Sequence, residues 1–190
     1  MRYSARHECK SVEWWTPMPI IESVRAVFGG VIEMDPATHP SNPTQAQKFY
    51  TQQNDGLVQP WEWPNDYRNN IFCNPPYGPQ LRPFLSRIAQ YALRGHPMIV
   101  VLPVTARYDQ DYWHEHVFNK NVVAICFVRG RISFDKPPLS DDGDNGNNIY
   151  PTSIIGYNVL WSKFSQEMSK YGVVLKIGDV KHRQIGKSNP

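Results

Sequence analysis

The stretch Ile71-Phe72-Cys73-Asn74-Pro75-Pro76-Tyr77-Gly78 constrains the local fold more tightly than any other part of the chain. Each proline holds its own φ near about −65° and pushes the residue before it out of the helical region, so Asn74 to Tyr77 form a stiff extended turn. Before the turn, Asn70 to Cys73 reads as a buried-type strand. After it, Leu81, Phe84, Leu85, Ile88, Ala89, Ala92 and Leu93 recur at helical spacing, with Gly95 where the helix should end. A strand, a rigid turn and an amphipathic helix in this order make one βα unit.

The same alternation extends in both directions. Thr16-Pro17 reads as a helix start, with Thr16 as N-cap and Pro17 at the first helical position, and Ile20, Ile21, Val24, Val27 and Phe28 then repeat until Gly29-Gly30 stops them. Val31 to Met34 reads as a strand ending at Asp35-Pro36. A polar loop (Ala37 to Pro43), a helix over Thr44 to Thr51 and a turn at Asp55-Gly56 follow. Met98 to Val104 is a near-continuous apolar run, as in an internal strand of a parallel sheet. Beyond it the pattern predicts a helix over Asp109 to Asn119 and strands over Val122 to Val128, Arg131 to Phe134 and Thr152 to Tyr157. The fold class expected is α/β, an open and mostly parallel twisted sheet with helices on both faces. The domain spans residues 13–180, between an N-terminal arm (1–12) and a flexible basic tail (181–190). The polar stretch Lys136 to Asn148 is expected to be mobile.

Composition narrows the function classes. With 190 residues, 41% hydrophobic and 19% charged, the chain suits one domain with its own core. Its longest aliphatic stretch, Met98 to Leu102, is far too short to cross a bilayer, and the opening MRYSARHECK has no apolar signal core. Neither export nor a membrane partner is expected. Three cysteines, Cys9, Cys73 and Cys126, lie far apart, which fits neither a disulfide framework nor paired zinc ligands and points to a reducing cytoplasm. His114 and His116 do not share a helix face, and in Asp141-Asp142-Gly143-Asp144 a glycine takes a calcium-ligand position, so no metal is expected. A formal charge of +3 and a pI of about 8.7 permit a polyanionic partner.

In open α/β sheets ligands sit beyond the carboxyl ends of the strands, where both Asp35-Pro36 and Asn74-Pro75-Pro76-Tyr77 fall. The Asn74 side chain can accept and donate, and the Pro75 carbonyl remains an acceptor. Together they suit an amine held by its hydrogens, and Tyr77 supplies a flat surface for a planar group. Taken alone, Asp35 reads as a carboxylate capping its own turn rather than as a ligand, and Asp55-Gly56 is a common turn pair; only their company promotes them.

Asn74-Pro75-Pro76-Tyr77 after an apolar strand resembles the catalytic motif of the S-adenosylmethionine-dependent amino methyltransferases. Glu13-Trp14-Trp15-Thr16-Pro17 is similar to their segment before the first helix, Ile32 to Ala37 to their first cofactor-binding strand end, and Asp55-Gly56-Leu57 to their later acidic turn. Arg129 to Phe134, then Pro151 to Ile155, resemble their closing strands. In this order the segments most resemble the compact DNA N6-adenine methyltransferases of phages and prophages, over roughly residues 13–158. The resemblance implies a Rossmann-like, class I methyltransferase-like fold acting on DNA in a bacterial cytoplasm, with S-adenosyl-L-methionine as cofactor. It implies catalytic roles for Asn74, Pro75, Pro76 and Tyr77 on a base flipped out of the duplex. Cofactor contacts are implied for Thr16, Pro17, Asp35, Pro36, Ala37, Asp55, Gly56, Leu57 and Asn74. DNA contacts are expected at Tyr67, Arg68, Arg131 and Lys136, and Phe72 is expected to be ordinary core. Cytosine N4, RNA or a protein glutamine remain alternative acceptors, and an inactive DNA-binding relative is a second alternative. The chain departs from most such enzymes in having Asp35-Pro36-Ala37-Thr38-His39-Pro40 where they carry a glycine-rich turn.

Overall fold

The structure, a computed structural model, describes residues 15–63, 68–103, 109–134 and 151–178. The N-terminal arm, the tail over 181–190, the Lys136 to Asn148 loop, Cys9, Tyr67, Lys136 and the Asp141 to Asp144 cluster lie outside the described residues. Within them run α1 (Met18–Phe28), β1 (Met34–Asp35), β2 (Lys48–Phe49), β3 (Ile71–Cys73), α2 (Leu81–Leu93), β4 (Met98–Pro103), β5 (Val122–Val128), β6 (Thr152–Tyr157), α3 (Trp161–Met168) and β7 (Gly172–Lys176).

The strands form one seven-stranded sheet in the order β2-β1-β3-β4-β6-β5-β7. β2, β1, β3 and β4 pair in parallel, whereas β6 runs antiparallel between β4 and β5, and β7 runs antiparallel to β5. The sheet is therefore open and mixed, with its parallel pairings gathered in the half that carries β1 and β3. Side-chain alternation along β3 explains the uninterrupted apolar sequence. Ile71 and Cys73 pack with Phe84, Leu85 and Ile88 of α2 on one face, while Phe72 packs with Ile20, Ile21 and Val24 of α1 and Phe164 of α3 on the other. A strand covered on both faces has no solvent side to hold polar residues.

The periodic segments form as their patterns predict, and local corrections have identifiable causes. α1 is capped by Pro17, whose carbonyl accepts the Ile20 and Ile21 N–H groups, and no side chain caps it; Thr16 therefore stands outside the helix rather than capping it. No helix forms over Thr44 to Thr51. The Asn42 side chain accepts from the Ala46 N–H and donates to the Ala46 carbonyl, Gln45 takes a positive φ of 49°, and the chain then joins β1 through the Lys48 N–H to the Glu33 carbonyl. Ladder pairing and an Asn-closed loop outweigh a weak helical pattern. The expected Val31 to Met34 strand reduces to β1, and the helix expected over Asp109 to Asn119 contains a π-helical turn, Trp113–Val117. Arg131 to Phe134 is irregular rather than a strand, although Ile132 and Phe134 are buried. α3 and β7, which carry only short apolar patterns, complete the sheet's far edge.

Candidate active site

β1 and β3 are parallel neighbours in register at Met34 and Ile71, so their carboxyl ends emerge side by side. This brings Asp35 and Asn74 to one edge of the sheet, although 39 positions separate them in sequence. They line one cavity of about 600 Å³, within the range of about 300–1,000 Å³ typical of small-molecule sites.

Asp35 anchors one wall and is 1% exposed. Its Oδ1 accepts the Ala37 N–H at 3.1 Å and its Oδ2 accepts the Thr44 hydroxyl at 2.8 Å. Burial pushes its carboxyl up from 3.8 to about 6, against the lowering effects of the Ala37 N–H and of the Thr44 and Thr38 hydroxyls. The folded state thus holds this proton more tightly than the unfolded chain, and the resulting stabilisation is fully present below about pH 4 and is lost as pH rises through about 6. At about 1.4 kcal/mol per unit, the change is on the order of 3 kcal/mol. Asp35→Asn is expected to flatten the dependence of stability on pH between about 4 and 6, read from denaturant midpoints of both proteins across that window; an unchanged slope would remove Asp35 as its source.

The second wall is the turn at Asp55-Gly56. Here Asp55, not the glycine, takes the left-handed conformation, with φ of 52°, and its Oδ1 accepts the Leu57 N–H at 3.0 Å. Gly56 is needed for space: a Cβ there would lie 2.0 Å from the Pro36 carbonyl oxygen. The Gly56 carbonyl accepts from the buried Trp61 indole at 2.7 Å, which ties the turn to the α2 face of the core. The third wall is the Asn-Pro-Pro-Tyr turn itself. Pro75 is buried, Asn74, Pro76 and Tyr77 are half-buried, and Gly78, with φ of 95°, swings the chain into α2. Trp15 and Thr16, leading into α1, close the remaining side, with Thr16 only 7% exposed.

Of the residues expected at the site, Thr16, Asp35, Pro36, Ala37, Asp55, Gly56, Asn74, Pro75, Pro76 and Tyr77 all line this cavity. Pro17 and Leu57 do not: Pro17 caps α1, and Leu57 packs against the core. Phe72 is buried in the core and also borders the cavity. Arg131 is exposed just beyond the carboxyl end of β5, which runs in the same direction as β3 and β4. Arg68 lies at the amino end of β3, against Gly95, and thus at the opposite edge from the cavity. Sequence reasoning missed the lining residues Trp15, His39, Thr44 and Gln80. Trp15 could have been found from its place beside Thr16, but Thr44 carries no local signal, because only the β1–β2 connection turns its hydroxyl back to Asp35.

Among the described residues, no helix is long and apolar enough to cross a membrane, and no group of three or more His, Cys, Asp or Glu side chains could hold a metal ion. The cavity opens at the strand-end edge and is walled by the hydrogen-bonding side chains described above. A comparison with curated proteins finds no match to the chain. With the Asn-Pro-Pro-Tyr turn and the Asp35 strand end on one cavity, the match of the model for DNA N-6-adenine-methyltransferase (Dam) to residues 4–183 shows that the chain belongs to that family.

Proposed function

We propose that the cavity is where S-adenosylmethionine and a flipped adenine of DNA meet, and that Asn74 to Tyr77 hold the adenine's 6-amine for methylation. The observation that carries this is the convergence of Asn74 and Asp35, from neighbouring parallel strands, on one cavity large enough for a nucleoside-type ligand. Residues around it fit such a cofactor. Asp35 and Asp55 offer acceptors for hydroxyl and ammonium donors, and the Thr16 hydroxyl is buried with no hydrogen-bond partner among the described residues, as expected of a group that meets a ligand. When bound, the cofactor supplies a sulfonium methyl that is already activated.

The chain's own task is then to bind and orient. An adenine 6-amine has its lone pair delocalised into the ring and is a poor nucleophile. Accepting its two hydrogens at the Asn74 side-chain oxygen and the Pro75 carbonyl favours the tetrahedral form and aims the lone pair outward. Rigidity matters here because aligned reactants gain most of their rate from positioning, and two adjacent prolines keep both acceptors in place. Tyr77 offers its ring to the extruded base, offsetting part of the stacking lost on leaving the duplex. The exposure of Arg131 on the same edge of the sheet supports a contact to the phosphate backbone.

The direct test is transfer of labelled methyl from S-adenosylmethionine to unmethylated plasmid DNA, with identification of the product nucleoside. Labelled N6-methyladenine is the expected product. N4-methylcytosine, or transfer confined to RNA or protein, would overturn adenine in DNA as the acceptor.

A further inference from the structure

We infer that Trp61 is a positioning residue of the site: its indole N–H fixes the Asp55-Gly56 turn at the depth where that turn meets the cofactor. This rests on the cofactor reading above and goes beyond it, because Trp61 does not line the cavity but stands behind two residues that do, Gly56 and Phe84. Trp61 is fully buried, and its indole N–H donates to the Gly56 carbonyl at 2.7 Å. Its ring stacks on two rings of α2, with centres 6.0 Å from Phe84 and 5.1 Å from Tyr91. Its main-chain N–H donates to the Tyr91 hydroxyl at 2.9 Å. One residue thus joins the acidic turn to the helix that follows the Asn-Pro-Pro-Tyr segment.

The turn needs such an anchor. Among the described residues, every other hydrogen bond of residues 54–58 ends on a residue between 51 and 59. The Asn54 and Asp55 N–H groups donate to the Thr51 carbonyl, the Val58 N–H to the Asp55 carbonyl and the Leu57 N–H to Asp55 Oδ1, while Asn54 accepts from Thr51 and Gln59. Bonds of this kind give the turn its shape but not its place in the fold. Its place comes from the packing of Leu57 on the core, the close approach of Gly56 to Pro36 and the indole bond. Of these only the hydrogen bond is directional, so it fixes the orientation of the Gly56 peptide as well as its distance. A phenylalanine ring could also stack between Phe84 and Tyr91; what the indole adds is a donor, and its acceptor is the main chain of a cavity wall. Without that donor the buried Gly56 carbonyl is left unsatisfied, and the turn regains a partner by shifting toward solvent.

Calorimetric titration of the full chain with S-adenosylhomocysteine, set beside methyl-transfer kinetics, tests this. Trp61→Phe, which keeps a ring in the stack but removes the donor, should weaken S-adenosylhomocysteine by about tenfold, the size of one lost hydrogen bond. The KM for the cofactor should rise by the same factor, while kcat at saturating cofactor stays near the wild-type value. Tyr91→Phe is the matched control: it removes a buried hydrogen bond of the same cluster, on the side of Trp61 away from Gly56, and should leave cofactor affinity unchanged. Equal weakening by both variants would make Trp61 a packing residue only and overturn the inference, as would wild-type affinity in Trp61→Phe. A measurement on the unsubstituted protein keeps the test open should Trp61→Phe not fold: the assigned Trp61 indole N–H resonance should shift on saturation with S-adenosylhomocysteine, and an unmoved resonance overturns the inference. These failures leave the cofactor reading standing, whereas a wild type that does not bind S-adenosylhomocysteine defeats both.

Discussion

Replacing Asn74 with Ala is expected to lower single-turnover methyl transfer to DNA by about 10²–10³-fold, the usual cost of removing one positioned polar group at a reacting centre, while changing cofactor binding far less. The asymmetry follows from what the side chain is proposed to do. In the proposed arrangement cofactor contacts are spread over several walls of the cavity, but the acceptor amine would be gripped by only two groups, and one is a backbone carbonyl that no substitution removes. Asn74 is half-buried at the end of a fully buried strand, so truncating it leaves β3 and its packing intact. Single-turnover rates and S-adenosylhomocysteine titration on the same preparation separate the two effects. Retention of near wild-type transfer would take Asn74 out of the chemistry and reduce the Asn-Pro-Pro-Tyr segment to a rigid connection between β3 and α2.

The second large effect is expected at Gly56. Its Cβ in Gly56→Ala would sit 2.0 Å from the Pro36 carbonyl oxygen and 3.0 Å from the attached carbon, and both are backbone atoms that cannot rotate away. Either the Asp55 turn or the turn after β1 must move, so two walls of the cavity separate together. A loss of about 3 kcal/mol in stability, the upper range for overpacking, and a marked loss of cofactor affinity are expected. Gly78→Ala is the informative contrast: a Cβ there meets nothing within 4 Å, so only the strain of its positive φ of 95° remains. That should cost about 1–2 kcal/mol. Denaturant midpoints for the two variants rank them, and a Gly56→Ala protein as stable as Gly78→Ala would mean the two turns are not in the close contact described.

Arg68 and Arg131 illustrate how far an unaided sequence goes. Both are arginines in polar stretches, and nothing local distinguishes them as DNA contacts. Strand direction separates them: Arg68 precedes β3 and Arg131 follows β5, so one lies at the amino edge of the sheet and the other at the carboxyl edge where the cavity opens. Thr16 reads both as a helix cap and, from the resemblance, as a cofactor contact; the structure leaves its hydroxyl buried on the cavity and not capping α1.

By itself the sequence determined the elements whose stability is local or strongly periodic. α2, β5 and β6 form where their patterns place them, since a continuous apolar run or a helical stripe can be buried in only one way. It also determined the stiffness of the Asn74 to Tyr77 turn, which follows from proline geometry alone. What only the tertiary structure decided is which distant segments share a wall: Thr44 on Asp35, Gly56 under Pro36, Trp15 facing the cavity, and β6 inserted antiparallel between β4 and β5. Each of these depends on strand order and on contacts between residues far apart in the chain, and such contacts leave no periodicity for a local pattern to carry.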